Sequence, residues 1–105
     1  MTAENTKGVK APPAKKMKIS FRQYITGKSP NSIRAMANLK AICRTHFQGD
    51  CRLEIVDVLE KPMLALRDEV YVSPTLIKLF PLPIRKIIGD LSEEEKVLDA
   101  LGLEE

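Results

Sequence analysis

The sequence has little of what most enzyme and membrane classes require. Its 105 residues contain no Trp, two Tyr, three Phe, two cysteines and one histidine. No apolar run approaches the roughly 18 residues a membrane span needs, and the amino terminus lacks the apolar core of a signal peptide. The chain is therefore expected in the cytoplasm, away from membranes. Two cysteines are too few for a disulfide scaffold, and Cys43 and Cys51 are expected to remain reduced in that compartment. The five glycines stand singly at turns, so neither phosphate-binding glycine loop is present and nucleotide binding has no support. The length leaves room for one small domain and not for two.

Charge is present but unevenly placed. Residues 1–52 hold 11 Lys/Arg against 2 acidic residues, and residues 53–105 hold 6 against 12, so the halves carry +9 and −6 within a net +3. Such asymmetry fits nucleic acid, or a chain whose ends meet complementary partners or each other. Residues 1–16 carry Lys7, Lys10, Lys15 and Lys16 and a Pro12-Pro13 pair without apolar periodicity, which reads as a disordered, solubilising basic tail. It has no interleaved aromatics, so nucleic acid is not expected as a partner.

The domain is expected over residues 17–105. Ile19, Phe21 and Ile25 alternate with Lys18, Ser20 and Arg22, predicting a strand. Ser29 followed by Pro30 reads as an N-cap with proline at the first helical position. A helix is predicted from there to about Phe47, with Ile33, Met36, Leu39 or Lys40, Cys43 and Phe47 inward, Arg34, Lys40 and Arg44 outward, and Gly49 as its stop. Arg52–Val58 reads as a second strand, parallel to the first because a whole helix connects them. A weak helix from Pro62 to about Glu69 follows, then strands at Thr75–Phe80 and Ile84–Ile88 between prolines. Ser92-Glu93-Glu94-Glu95 reads as a capping box opening a last helix, with Val97, Leu98 and Leu101 on one face and Gly102 as its stop. The order βαβαββα predicts an α/β, thioredoxin-like fold with a mixed four-stranded sheet and helices on both faces.

A thioredoxin-like oxidoreductase needs a thiolate at the amino end of its first helix, where the dipole lowers the thiol pKa. Lys28-Ser29-Pro30-Asn31 stands there instead, and the cysteines lie late in the helix and beyond it, with seven residues between them. They are expected to be buried or incidental thiols without redox activity. Cys43, His46 and Cys51 supply three soft ligands where a structural zinc site needs four, so no metal is expected. No nucleophile stands beside a base, and Glu93–Glu95 are accounted for by the helix dipole. The sequence thus favours a binding module over an enzyme, with no cofactor. The basic residues Arg34, Lys78, Arg85 and Lys86 are expected on its surface as binding candidates.

Tyr24-Ile25-Thr26-Gly27-Lys28-Ser29-Pro30-Asn31-Ser32 resembles the run YVAGNTPNS of the KaiB circadian clock family. Phe47-Gln48-Gly49, Val56–Leu59, Ser73–Leu76 and Arg85–Ser92 resemble later blocks of the same family, so the likeness spans residues 17–103. The Pro74-Thr75 step also resembles the cis-proline turn of thioredoxin-like proteins. The resemblance implies a regulator that binds the hexameric ATPase KaiC, modulates its phosphorylation cycle and opposes the activator KaiA, with a histidine kinase as a further partner. It implies partner contacts at Arg34, Lys78 and Arg85. It further implies a second, fold-switched arrangement of the carboxyl half in a homotetramer or dimer, with Gly89 and Asp90 in the hinge. Glu54 and Glu69 stand where the cyanobacterial pattern has lysines, and Met17 where it has a basic residue. A divergent stress-adaptation protein that no longer binds KaiC is therefore the alternative.

Overall fold

The computed structural model describes residues 18–102, so the basic tail expected over 1–16 lies outside the described residues, as does Met17. Strand β1 (Ile19–Ile25) leads into α1 (Pro30–Phe47), β2 (Cys51–Asp57), α2 (Pro62–Arg67), β3 (Thr75–Phe80), β4 (Arg85–Ile88) and α3 (Glu94–Ala100). The strands form one mixed sheet in the order β2-β1-β3-β4, with β1 parallel to β2, β3 antiparallel to β1, and β4 antiparallel to β3. The βαβαββα order read from the sequence is the order in the structure.

Both ends of α1 follow from local chemistry. Ser29 is the N-cap, its hydroxyl accepting from the Ser32 amide at 3.3 Å, and Pro30 takes the first helical position. The stop begins one residue earlier than Gly49: Gln48 already adopts a left-handed φ of 56°, and the Gly49 amide donates back to the Cys43 carbonyl at 2.9 Å. Ser29→Ala should cost about 1 kcal/mol of stability, measurable as a shift in the urea midpoint at constant slope.

The inward face of α1 differs from the one the apolar spacing predicts. Ser32, Ala35, Leu39, Ile42 and Cys43 are buried, while Ile33 is 55% exposed. The first turns lie against the end of β1, where the buried Ser32 hydroxyl accepts from the Thr26 amide at 2.9 Å. Small residues fit that approach, so the helix turns Ser32 and Ala35 inward and leaves Ile33 outside.

Two cores result, one on each side of the sheet. Ile19 and Phe21 of β1 pack with Leu39, Ile42 and Cys43 of α1, Leu76 of β3, and Leu91, Val97 and Leu101. Tyr24, Val56 and Ile77 pack with Ala65 and Val70 on the other side. Coverage of both faces hides Gln23 as well as Tyr24, which breaks the half-buried alternation expected of β1.

Two further expectations are corrected. The capping box at Ser92 does not form: Glu93 is the N-cap of α3, without a side-chain cap bond, and the Ser92 amide instead donates to Asp90 Oδ1 at 3.1 Å. Asp90 therefore satisfies the donor that precedes the helix. Cys43 and Cys51 are not free thiols; their sulfurs are bonded to each other across a Cα–Cα distance of 6.0 Å. The end of α1 reverses directly into β2, which brings these two positions within disulfide reach.

Candidate partner-binding surface

Lys78 and Arg85 face each other across the β3–β4 ladder. Arg85 is exposed at the edge strand, but Lys78, expected at the surface, is only 2% exposed. All of Thr75–Lys78 is buried because β3 lies inside a sheet covered on both sides. Burial lowers the Lys78 pKa, and the neighbouring Arg85 charge lowers it further. Around this pair the β3–β4 hairpin exposes Phe80, Leu82, Ile84 and Ile88. An arginine on a hairpin that also exposes apolar side chains matches the composition that distinguishes interfaces from ordinary surface.

Arg34 stands apart from that pair. Its Nε donates to Asp90 Oδ2 at 3.1 Å, and its guanidinium also contacts Asn31 Oδ1. Asn38, one helical turn later, donates to the Asp90 carbonyl at 2.7 Å. Hydrogen bonding by Ser92 and by Arg34 holds the Asp90 carboxyl below its ordinary range. A candidate binding residue and a candidate hinge residue are thus in direct contact, which the sequence did not reveal. Gly89, the other hinge candidate, has φ 124°, a conformation that L side chains rarely adopt. Farther along α1, His46 contacts Glu94 of α3. Arg34, Asn38 and His46 fall on one helical stripe, and together they fasten the segment after β4 to α1.

Lys86 is exposed as expected, but its ammonium is engaged. Its Nζ donates to the Asp68 and Glu69 carbonyls at 2.6 and 3.2 Å. That contact ties β4 to the end of α2, where Glu69 has a left-handed φ of 58°.

A network missed in the sequence lies beside it. Arg22 donates to Glu54 Oε1 and to Asp68 Oδ2, each at 2.8 Å, and the Tyr24 hydroxyl donates to the same Asp68 oxygen at 2.5 Å. The hydrogen bond with Glu54 is the largest influence on Arg22, and the Arg22 pKa is raised overall. Burial alone would raise the Asp68 carboxyl, but hydrogen bonds from Tyr24 and Arg22 hold it below its ordinary value. Burial, followed by the Asp68 contact, pushes the Tyr24 hydroxyl up to about 12. Its folded pKa lies above the unfolded value, so this contribution to stability is complete below pH 10.0 and is lost as pH rises toward about 12. Tyr24→Phe should flatten that alkaline decline, read from urea midpoints across the same pH window.

The amino end of α1 carries no thiol, and the Ser29 hydroxyl there is engaged in capping. His46 is held against Glu94, and no cluster of three or more metal-ligating groups occurs among the described residues. Nor does any helix among them have the length and apolarity to cross a membrane.

These features define a thioredoxin-like domain with a cationic, partly apolar hairpin in place of a helix-terminal thiol. The chain belongs to the KaiB family: the KaiB domain is matched over residues 22–103. It is 51% identical over 83 residues to the circadian clock oscillator protein KaiB of Synechococcus elongatus, covering 79% of this chain and 81% of that protein. To KaiB1 of a Synechocystis species it is 49% identical over 83 residues, covering 79% of each. Among solved structures, the N-terminal domain of Synechococcus elongatus SasA superposes with a TM-score of 0.63 at 20% identity, covering 90% of this chain and 93% of that one. Chloroplastic thioredoxin z gives 0.65 at 14% identity, covering 87% and 84%. Both likenesses bear on the fold, whereas the KaiB relatives support a clock-type regulatory role.

Proposed function

We propose that this chain is a non-catalytic regulator that binds a KaiC-type hexameric ATPase and modulates its phosphorylation cycle. The observation that carries the reading is the Lys78–Arg85 pair on a hairpin rich in exposed apolar residues. A lysine held in a strand interior at a desolvation cost, beside a second cation, is poor design for stability and fits selection for a partner. Arg85 meets the partner's acidic groups, Lys78 adds positive potential from beneath, and Arg34 contributes once Asp90 releases it. The contacts of Arg34 and Asn38 with Asp90, and of His46 with Glu94, hold the carboxyl segment in its present arrangement. Their loss accompanies the second, oligomeric arrangement, for which Gly89 and Asp90 form the hinge.

Co-elution with a KaiC-type hexamer in gel filtration, with ATP or ADP present, tests the binding. A complex that weakens with added salt is expected, because charges at an interface edge are screened beyond about 8 Å at physiological ionic strength. Absence of a complex with either nucleotide would favour the stress-adaptation reading. Backbone shifts from residue 90 onward across a dilution series test the conformational part. A dilute monomer with strand shifts there would contradict an arrangement held by subunit contacts.

A further inference from the structure

We infer that Cys43 and Cys51 form a reversible thiol–disulfide exchange site for a low-molecular-weight thiol of the glutathione class. Two observations carry this. The first is that the bond joins parts which the backbone already holds together. Gly49 donates to the Cys43 carbonyl at 2.9 Å, Asp50 donates to the Phe47 carbonyl at 2.8 Å, and Cys51 is registered opposite Ile19 in the parallel β1–β2 ladder. The turn and the strand do not need the sulfur bridge, so opening it leaves the local fold in place and the link is free to cycle.

The second observation is the unequal access of the two sulfurs' residues. Cys43 is 5% exposed within the core beneath α1, whereas Cys51 is half-buried at the start of an edge strand. An incoming thiolate therefore attacks the Cys51 sulfur. The S–S bond breaks, and Cys43 leaves as a thiolate and takes up a proton. A second thiol then attacks the external sulfur of the mixed disulfide, releasing the oxidised small-molecule disulfide and leaving Cys51 as a thiol. The sum is one protein disulfide plus two small thiols giving two protein thiols plus one small disulfide, and oxidation by the small disulfide is the reverse. Reduced Cys43 packs as a small apolar side chain in the core cluster that also contains Leu91, Val97 and Leu101.

The full chain, incubated in mixtures of reduced and oxidised glutathione, is alkylated and its free thiols counted by mass. The expected result is one reversible two-thiol transition at constant far-ultraviolet circular dichroism. Under oxidised glutathione, Cys43→Ser is expected to acquire a mixed disulfide at Cys51 on the order of tenfold faster than Cys51→Ser acquires one at Cys43. Thiols that stay free in oxidised glutathione, a bridge that opens only with denaturant, or equal rates in the two variants would each overturn the inference.

Discussion

Asp68→Asn should lower stability by about 2 kcal/mol, on the order of 10 °C in Tm for a domain of this size. Arg22 and Asp68 have side chains that are each 18% exposed, and Asp68 Oδ2 accepts from both Arg22 and Tyr24. Removing the charge leaves a mostly buried guanidinium with Glu54 as its remaining carboxylate partner, and such a loss exceeds what an exposed pair is worth. Glu54→Gln should therefore cost less than about 1 kcal/mol, since that carboxylate is 50% exposed. The acid limb provides a second reading. The folded Asp68 pKa lies below 3.8, so its contribution is present above that pH and is lost as pH falls through the lower folded value. The Asn variant should lack that part of the acid decline, measured by thermal unfolding across the same range.

Lys78→Met should act in opposite directions on stability and on binding. The folded pKa of Lys78 is lowered, so the charged lysine costs stability at neutral pH, and the cost is relieved as pH rises toward 10.5. Methionine fills similar volume without that penalty, and a gain of about 1–2 kcal/mol in urea unfolding is expected. The same variant should weaken the complex with a KaiC-type ATPase by on the order of tenfold, the usual scale for removing one interface charge. A less stable variant would mean that the lysine serves the fold, and unchanged affinity would remove it from the partner surface.

How much of this was legible follows from where the information resides. Helix α1 is readable at both ends because Ser29-Pro30 and Gly49 are local signals, the stop lying one residue earlier at Gln48, and β3 is readable because prolines bracket it. The inward face of α1 was not, since Ile33 outranks Ser32 and Ala35 in hydropathy and only the close approach to β1 reverses the choice. Lys78 was assigned to the surface by residue type, and its burial depends on β3 being an inner strand covered on both faces. The Arg22–Tyr24–Glu54–Asp68 network joins residues 32 to 46 positions apart, which no periodicity links before strand order and register are known. The Cys43–Cys51 bond is a local feature, closed across a single helix-to-strand turn. Cys43 falls in the last turns of the predicted helix and Cys51 one residue before the strand predicted at Arg52–Val58, and the reversal between them is what brings the two sulfurs together. Cysteine count and compartment, on which the expectation of reduced thiols rests, carry no information about that reversal.

The proposed binding of a KaiC-type ATPase through the cationic β3–β4 hairpin can be tested by calorimetric titration. The full-length chain and its Arg85→Glu variant would be titrated against the ATPase hexamer at low and at physiological salt. Saturable binding is expected that weakens with salt and falls by at least on the order of tenfold on charge reversal. Binding that is indifferent to both salt and Arg85, or no binding with either nucleotide bound to the hexamer, would contradict it.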